Sequence, residues 1–129
     1  MRRIFALFFV LTLLLTGCAD TSASAEKNTY EPITQEAAKE MMDTMDVIVL
    51  DVREQEEFDA GHIPGAVLLP VGSIDEESAK AVIPSKNSVV LVYCCSGNRS
   101  KTASAALAAL GYSEVYEFGG INTWPYGTE

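Results

Sequence analysis

The strongest constraint on the fold is an apolar run that leads directly into a short loop and then into a helix. Residues 89–93 read Val-Val-Leu-Val-Tyr, and a run without a polar break is typical of a strand buried on both faces. Cys94 and Cys95 come next, and an alanine-rich helix is predicted over residues 100–110, with Gly111 at its C-terminal end. Ligands of parallel sheets bind beyond the carboxyl ends of the strands, so the segment after this strand is the first candidate site.

The rest of the chain alternates strands and helices in the same way. This alternation predicts a single α/β domain, with a parallel sheet covered by helices on both faces and joined by right-handed crossovers. The other predicted elements are a helix capped by Thr34, strands over 47–50, 66–69 and 115–118, and helices over 54–60 and 74–82.

The first 17 residues are predicted to be a signal peptide and are excluded from the fold. A basic start is followed by an apolar run over residues 4–15, which is shorter than the roughly 20 residues of a spanning helix. The run ends in Leu-Thr-Gly-Cys, which resembles the lipobox of bacterial lipoproteins. The resemblance implies that Cys18 is lipidated, that 18–28 form a flexible tether, and that the folded domain occupies 29–129. The alternative is an ordinary signal peptide cut near Ala23 or Ala25.

The charge balance excludes one class of partner and bears on the membrane. The chain has 9 Lys+Arg and 18 Asp+Glu, which argues against a nucleic-acid partner because phosphate neutralisation needs clustered cations. An acidic domain is also repelled by anionic lipid headgroups. We therefore expect the lipid on Cys18, not the protein surface, to hold the domain at the membrane, outside the cytoplasm in the cell envelope.

The loop after the strand of residues 89–93 favours a reactive cysteine. Its small residues let backbone N–H groups turn inward, and the following helix directs its partially positive N-terminus at the same point. Such surroundings lower the pKa of a thiol and make it a nucleophile, although a free cysteine at a strand end often only packs. The candidate nucleophile is Cys94, and the candidate binding loop consists of Cys95, Ser96, Gly97, Asn98, Arg99 and Ser100, with Lys101 adding a nearby positive charge.

Three stretches together resemble the rhodanese (sulfurtransferase) family, across about residues 30–127. The resemblance implies one rhodanese-like domain with a parallel sheet of about five strands. It also implies that Cys94 accepts sulfane sulfur from a small donor, such as thiosulfate, as a persulfide and passes it to a thiol acceptor, with no metal or organic cofactor. The stretches are Asp51-Val52-Arg53-Glu54 through Glu57-Phe58 to Gly61-His62-Ile63-Pro64-Gly65-Ala66, then Cys94-x-x-Gly97-x-Arg99-Ser100, and Gly119-Gly120-Ile121-x-x-Trp124.

The other motif residues are expected to support the site. Asp51 lies at the carboxyl end of a strand, where it could orient the loop or cap the next helix. Arg53 could pair with Glu57 four residues later, or help to bind an anion. His62 is expected to be structural, Gly119 and Gly120 to serve backbone geometry, and Trp124 to pack. Cys95 is left as a buried bystander, a resolving thiol or a second sulfur carrier.

Three classes of function remain open from the sequence. The first is sulfur transfer. The second is a phosphatase or arsenate reductase, because some relatives of this fold resemble such enzymes. The third is a binding or sensing domain without turnover. Four residues separate Cys94 from Arg99, whereas relatives that handle phosphate-sized oxyanions typically have one more. A smaller ring of N–H groups suits a single sulfur atom, which favours sulfur transfer.

Overall fold

The computed structural model describes residues 29–129. The predicted signal peptide (1–17), lipidated Cys18 and tether (18–28) lie outside the described residues. Within the described part, no helix is both long and apolar enough to cross a bilayer.

One five-stranded sheet organises the described residues, and all of its strand pairs are parallel. The strand order is β1-β5-β4-β2-β3, so β4, which contains the apolar run of residues 89–93, lies at the centre between β2 and β5. The α/β class and the parallel sheet predicted from the sequence are confirmed. The strands are β1 (Glu31–Pro32), β2 (Ile48–Asp51), β3 (Val67–Leu68), β4 (Val89–Cys94) and β5 (Glu114–Gly120).

Helices cover both faces of this sheet. On one face, apolar residues of α3 and α4, such as Ala79 and Leu107, pack against Val90 and Val92 of the sheet. On the other face, Ala38 of α1 packs with Leu91 and its neighbours. The helices are α1 (Gln35–Thr44), α2 (Gln55–Ala60), α3 (Glu76–Val82) and α4 (Asn98–Ala109), with single 3₁₀ turns at Val71–Ser73 and Ile121–Thr123.

Side chains alternate across β4 as the pleat of a strand requires. Val90, Val92 and Cys94 lie on the face covered by α4, whereas Leu91 and Tyr93 lie on the face covered by α1. The thiol of Cys94, the last residue of the strand, therefore lies between the sheet and α4.

The boundaries differ from the sequence prediction at three points that concern the site. Strand β4 extends one residue further, to Cys94, and α4 begins at Asn98 rather than at Ser100. The loop is thus only residues 95–97. Strand β5 extends to Gly120, beyond its predicted end at Phe118.

Candidate active site

Cys94 lies at the carboxyl end of the central strand, and only 1% of its surface is exposed. Gly97, at φ +107°, adopts a left-handed conformation that turns the chain into α4 within three residues. As a result the Gly97 N–H points back and donates to Cys94 Sγ over 3.0 Å. This is the inward-turned loop that the sequence predicts.

The loop stabilises the thiolate of Cys94. Burial opposes ionisation of the thiol, but the hydroxyl of Ser100 and the N–H groups of Ser100, Gly97 and Ser96 outweigh it, so that the pKa of Cys94 lies below its usual value. The Cys94 and Ser100 side chains are in contact, with 3.4 Å between Sγ and Oγ. The arrangement provides a nucleophilic sulfur at the bottom of a small ring of N–H donors.

Beneath the loop lies a carboxylate that the sequence analysis did not identify. Glu117 of β5 is only 4% exposed, and its Oε1 accepts from the Ser100 hydroxyl over 2.7 Å and from the Gly119 N–H over 2.8 Å. A signal for it exists in the sequence: Glu117 is two residues after Val115, so both lie on the face of β5 that packs under α4. A glutamate at a buried position of a strand is unusual and indicates a role.

Strand β5 also supports the loop from below by close backbone approach. A Cβ added to Gly120 would lie 1.8 Å from the carbonyl oxygen of Cys95, so only glycine fits there. The N–H of Asn122 donates to that same carbonyl over 3.2 Å. Trp124 packs on the ring of Phe118, with 5.4 Å between centroids. The Gly-Gly stretch therefore serves backbone geometry, as expected.

The outer rim of the loop is built by an ion pair with α2. The guanidinium of Arg99 donates to both carboxylate oxygens of Glu57, over 2.7 and 2.9 Å. This contact, followed by the Glu54 N–H, holds the pKa of Glu57 well below its usual range. Arg99, predicted as part of the binding loop, is thus directed at Glu57 and makes no hydrogen bond to Cys94 in the described part of the chain.

Cys95 belongs to this rim rather than to the core. Its Sγ lies 3.2 Å from Glu57 Oε1 and 3.2 Å from Arg99 Nη2, and the residue is partly exposed. Burial and the hydrogen bond to Glu57 raise the pKa of the Cys95 thiol. The two cysteines are free and differ in character, because one pKa is lowered and the other is raised. The interpretation of Cys95 as a buried bystander is therefore wrong, whereas the resolving thiol and the second sulfur carrier stay predictions.

Asp51 and Arg53 form a buried pair behind the loop. Arg53 Nη2 lies 2.7 Å from Asp51 Oδ2 and also donates to the Gly61 carbonyl over 2.7 Å. Asp51 further accepts from the Tyr93 hydroxyl over 2.6 Å, which fixes the residue that precedes Cys94. The predicted capping role of Asp51 is wrong, because Glu54 occupies the N-cap of α2.

The predicted pairing of Arg53 with Glu57 is also wrong. Helix α2 begins at Gln55, so Arg53 precedes the helix and the spacing of four residues does not place the two side chains on one helical face. Glu57 instead forms its ion pair with Arg99.

Four predicted residues remain, three of them on or beside the loop and one after α2. Ser96, Asn98 and Lys101 are exposed. His62 stacks on Phe58 with 3.9 Å between ring centroids, and its Nδ1 lies 2.9 Å from the Phe58 carbonyl, which is a structural set of contacts. Within residues 29–129, no group of three or more His, Cys, Asp or Glu side chains is arranged to hold a metal ion.

Comparison with known proteins identifies related sequences. A family model described as "Rhodanese-like domain" matches residues 34–125. The thiosulfate sulfurtransferase GlpE of Coxiella burnetii is 35% identical over 96 residues, covering 74% of this chain and 87% of that protein. The thiosulfate sulfurtransferase PspE of Escherichia coli K12 is 39% identical over 72 residues, covering 56% of this chain and 68% of that protein.

Solved structures share the same architecture. A structure described as rhodanese with anions from E. coli aligns with a TM-score of 0.61 at 30% identity, over 65% of this chain and 98% of that one. A rhodanese-related protein from Thermoplasma volcanium aligns with a TM-score of 0.64 at 31% identity, over 78% of this chain and 98% of that one. The sequence matches and the structure matches thus identify the same group of related proteins.

Proposed function

Because the chain belongs to the rhodanese-like domain family, we propose that it is a sulfurtransferase in which Cys94 carries sulfane sulfur from a donor such as thiosulfate to a thiol acceptor. The observation that carries the proposal is the Cys94 thiol, buried at the strand end with a lowered pKa and the Gly97 N–H 3.0 Å from its sulfur. Relatives named as thiosulfate sulfurtransferases support the class of donor.

The proposed reaction has two half-reactions. First, the Cys94 thiolate attacks the outer sulfur of thiosulfate, a new S–S bond forms, and the bond to the sulfonate sulfur breaks as sulfite leaves with the electron pair. The persulfide anion that results is an acceptor for the N–H groups of the loop. In the second step a thiolate acceptor attacks the outer sulfur, and Cys94 leaves as a thiolate. No metal or redox cofactor enters this balance.

The ring around Cys94 favours sulfur over a tetrahedral oxyanion. Only three residues lie between β4 and α4, and Arg99 is engaged by Glu57. Relatives that handle phosphate-sized oxyanions typically have one more residue in this loop, and a phosphoryl oxygen is bound most strongly by a charged donor such as arginine. A phosphatase or arsenate reductase is therefore the weaker candidate, and a sensing domain without turnover is separated from transfer by the experiment that follows.

The test is the intact mass of the purified protein after incubation with thiosulfate. We expect a gain of one sulfur atom, which cyanide or a reductant removes, and repeated turnover when donor and acceptor are both in excess. Cys94→Ser should gain none, whereas the matched Cys95→Ser should still load. Loading that never turns over with excess acceptor would indicate a sensor. Loading lost in Cys95→Ser and kept in Cys94→Ser would refute the assignment of the nucleophile.

We further propose that the domain is anchored outside the cytoplasm by acyl chains on Cys18. The proposal rests on the basic start, the short apolar run and the Leu-Thr-Gly-Cys ending. Cells that make the wild type or Cys18→Ala are labelled with a fatty-acid analogue and fractionated. We expect label and membrane association in the wild type alone. Unlabelled wild type in the soluble fraction would contradict the anchor.

A further inference from the structure

The buried carboxylate of Glu117 is the feature that sulfur transfer by Cys94 does not by itself explain. It is 4% exposed, and among residues 29–129 no Lys, Arg or His nitrogen lies within 4.0 Å of it. Burying a carboxylate away from any cation is costly, and here the compensating contacts are hydrogen bonds from the Ser100 hydroxyl and the Gly119 N–H. One of these two contacts leads towards the reacting sulfur.

A continuous hydrogen-bonded chain connects Glu117 to the reacting sulfur. Cys94 Sγ lies 3.4 Å from Ser100 Oγ, and Ser100 Oγ lies 2.7 Å from Glu117 Oε1. Both Ser100 and Cys94 are buried, at 0% and 1% exposed. A hydroxyl donates and accepts at the same time, so it can pass a proton along such a chain.

We propose that Glu117 accepts the proton of Cys94 through Ser100, so that the thiol and the carboxylate hold one proton between them. In the transfer the S–H bond breaks, Ser100 gains that proton on Oγ and gives up its own, and an O–H bond forms on Glu117. No co-reactant is required. The site then holds one negative charge throughout, either on the sulfur or on the carboxylate.

The relay would serve both half-reactions. During loading, Glu117 takes the proton and leaves Cys94 as the thiolate that attacks the donor. After discharge, when Cys94 has left as a thiolate, the proton can return to it from Glu117 through Ser100. This use in turnover rests on the proposed sulfur transfer, whereas the sharing of the proton is a property of Cys94, Ser100 and Glu117 alone.

The charged side chains nearest to the loop are engaged elsewhere or exposed. Arg99 of α4 is neutralised by Glu57 of α2, and Lys101 is exposed. The only α1 side chain hydrogen-bonded to this end of β5 is the neutral amide of Gln35. The other ionisable side chains on the packed elements are Glu31 of β1, Glu36, Lys39, Glu40 and Asp43 of α1, Cys95 beside the loop, and Glu114 and Tyr116 of β5.

The test is the rate of alkylation of Cys94 by iodoacetamide across pH, with the label located by fragmentation of the loop peptide. In the wild type, two groups that share a proton should give a rate that rises in two steps with a plateau between them. Glu117→Gln keeps the shape of the side chain but cannot take up the proton, so a single step should remain. Ser100→Ala should also lose the lower step while leaving the carboxylate in place.

Ser104→Ala is the matched control. Ser104 lies one turn beyond Ser100 on α4, is 0% exposed, and its hydroxyl has no hydrogen-bond partner in the described part of the chain. Its removal should therefore leave both steps intact. Sulfur loading, measured in parallel at the pH of the plateau, should slow by about 10²-fold in Glu117→Gln, and thermal unfolding of each variant establishes that it is folded.

The outcomes separate this proposal from the function on which it builds. Two steps retained in both Glu117→Gln and Ser100→Ala would overturn the relay. So would a single step in the wild type that moves to lower pH in Glu117→Gln, because that shift describes a carboxylate that merely repels the thiolate. A wild type with two steps that loads no sulfur would refute the sulfurtransferase and leave the shared proton standing.

Discussion

Gly120→Ala should displace the active loop without changing any side chain that contacts the reacting sulfur. A Cβ at this position would lie 1.8 Å from the Cys95 carbonyl oxygen and 2.6 Å from the Ser96 nitrogen. Since Cβ contacts under 3.0 Å are essentially never observed, the carbonyl must retreat by at least about 1.2 Å. Both neighbours are backbone atoms, so no side-chain rotation relieves the contact, and the hydrogen bond from Asn122 to that carbonyl is lost.

The displacement sets the expected magnitude. A misplacement of about 1 Å can cost about 10² in rate, so sulfur loading of Cys94 should slow by about that factor. Overpacking of this kind costs about 1–3 kcal/mol of stability, which for a domain of this size lowers Tm by about 4–24 °C. Far-ultraviolet circular dichroism at a temperature well below Tm should still show a folded protein.

Gly72→Ala is the control, because a Cβ there meets nothing within 4 Å and the backbone has no positive φ. The assay is the time course of the sulfur adduct by intact mass, with thermal unfolding of each variant. Loading by Gly120→Ala at the wild-type rate would refute the view that β5 positions the loop.

Two further predictions concern the charges around the site. Asp51→Asn breaks a buried pair and should lower the free energy of unfolding, measured in urea, by about 3–5 kcal/mol. Asp43→Asn breaks an exposed pair, with side chains 35% and 57% exposed, and should lower it by less than about 1 kcal/mol. Equal losses in the two variants would contradict the argument from burial. Arg99→Ala should shift the alkylation profile of Cys95 to higher pH and that of Cys94 less, because the guanidinium contacts only the former sulfur; a larger shift at Cys94 would show that Arg99 tunes the nucleophile.

The sequence predicted the strands that are buried on both faces, because nearly all of their residues are apolar. Residues 48–51 and 89–94 are apolar almost throughout, and their strands form the centre of the sheet. The edge strand Glu31–Pro32 could not be located in the same way, because both residues are exposed and one is a proline. Its two parallel pairings with β5 come from tertiary contact rather than from an apolar pattern.

The sequence predicted the local features of the site, but not which distant residues contact it. The order Cys-x-x-Gly with a helix behind it identified Cys94 and the inward-turned N–H of Gly97. The partners of Arg99 and Ser100 come from α2 and β5, 42 and 17 residues away. Which of several carboxylates each would meet depends on how the helices pack, and spacing along the sequence carries no such information.

Helix α2 is held to the molecule in a way that sets it apart from the other three helices. None of its residues is buried, so its attachment depends largely on the Glu57–Arg99 pair, whose side chains are each 34% exposed. Dissolved salt screens such a pair, and of the helix's own side chains only the half-buried Phe58 ring adds an apolar contact. We therefore expect raised ionic strength to loosen this helix first. Since Glu57 also contacts Cys95 of the rim, we expect the rim to loosen with the helix, so that access to the buried sulfur depends on the ionic strength of the medium around the domain.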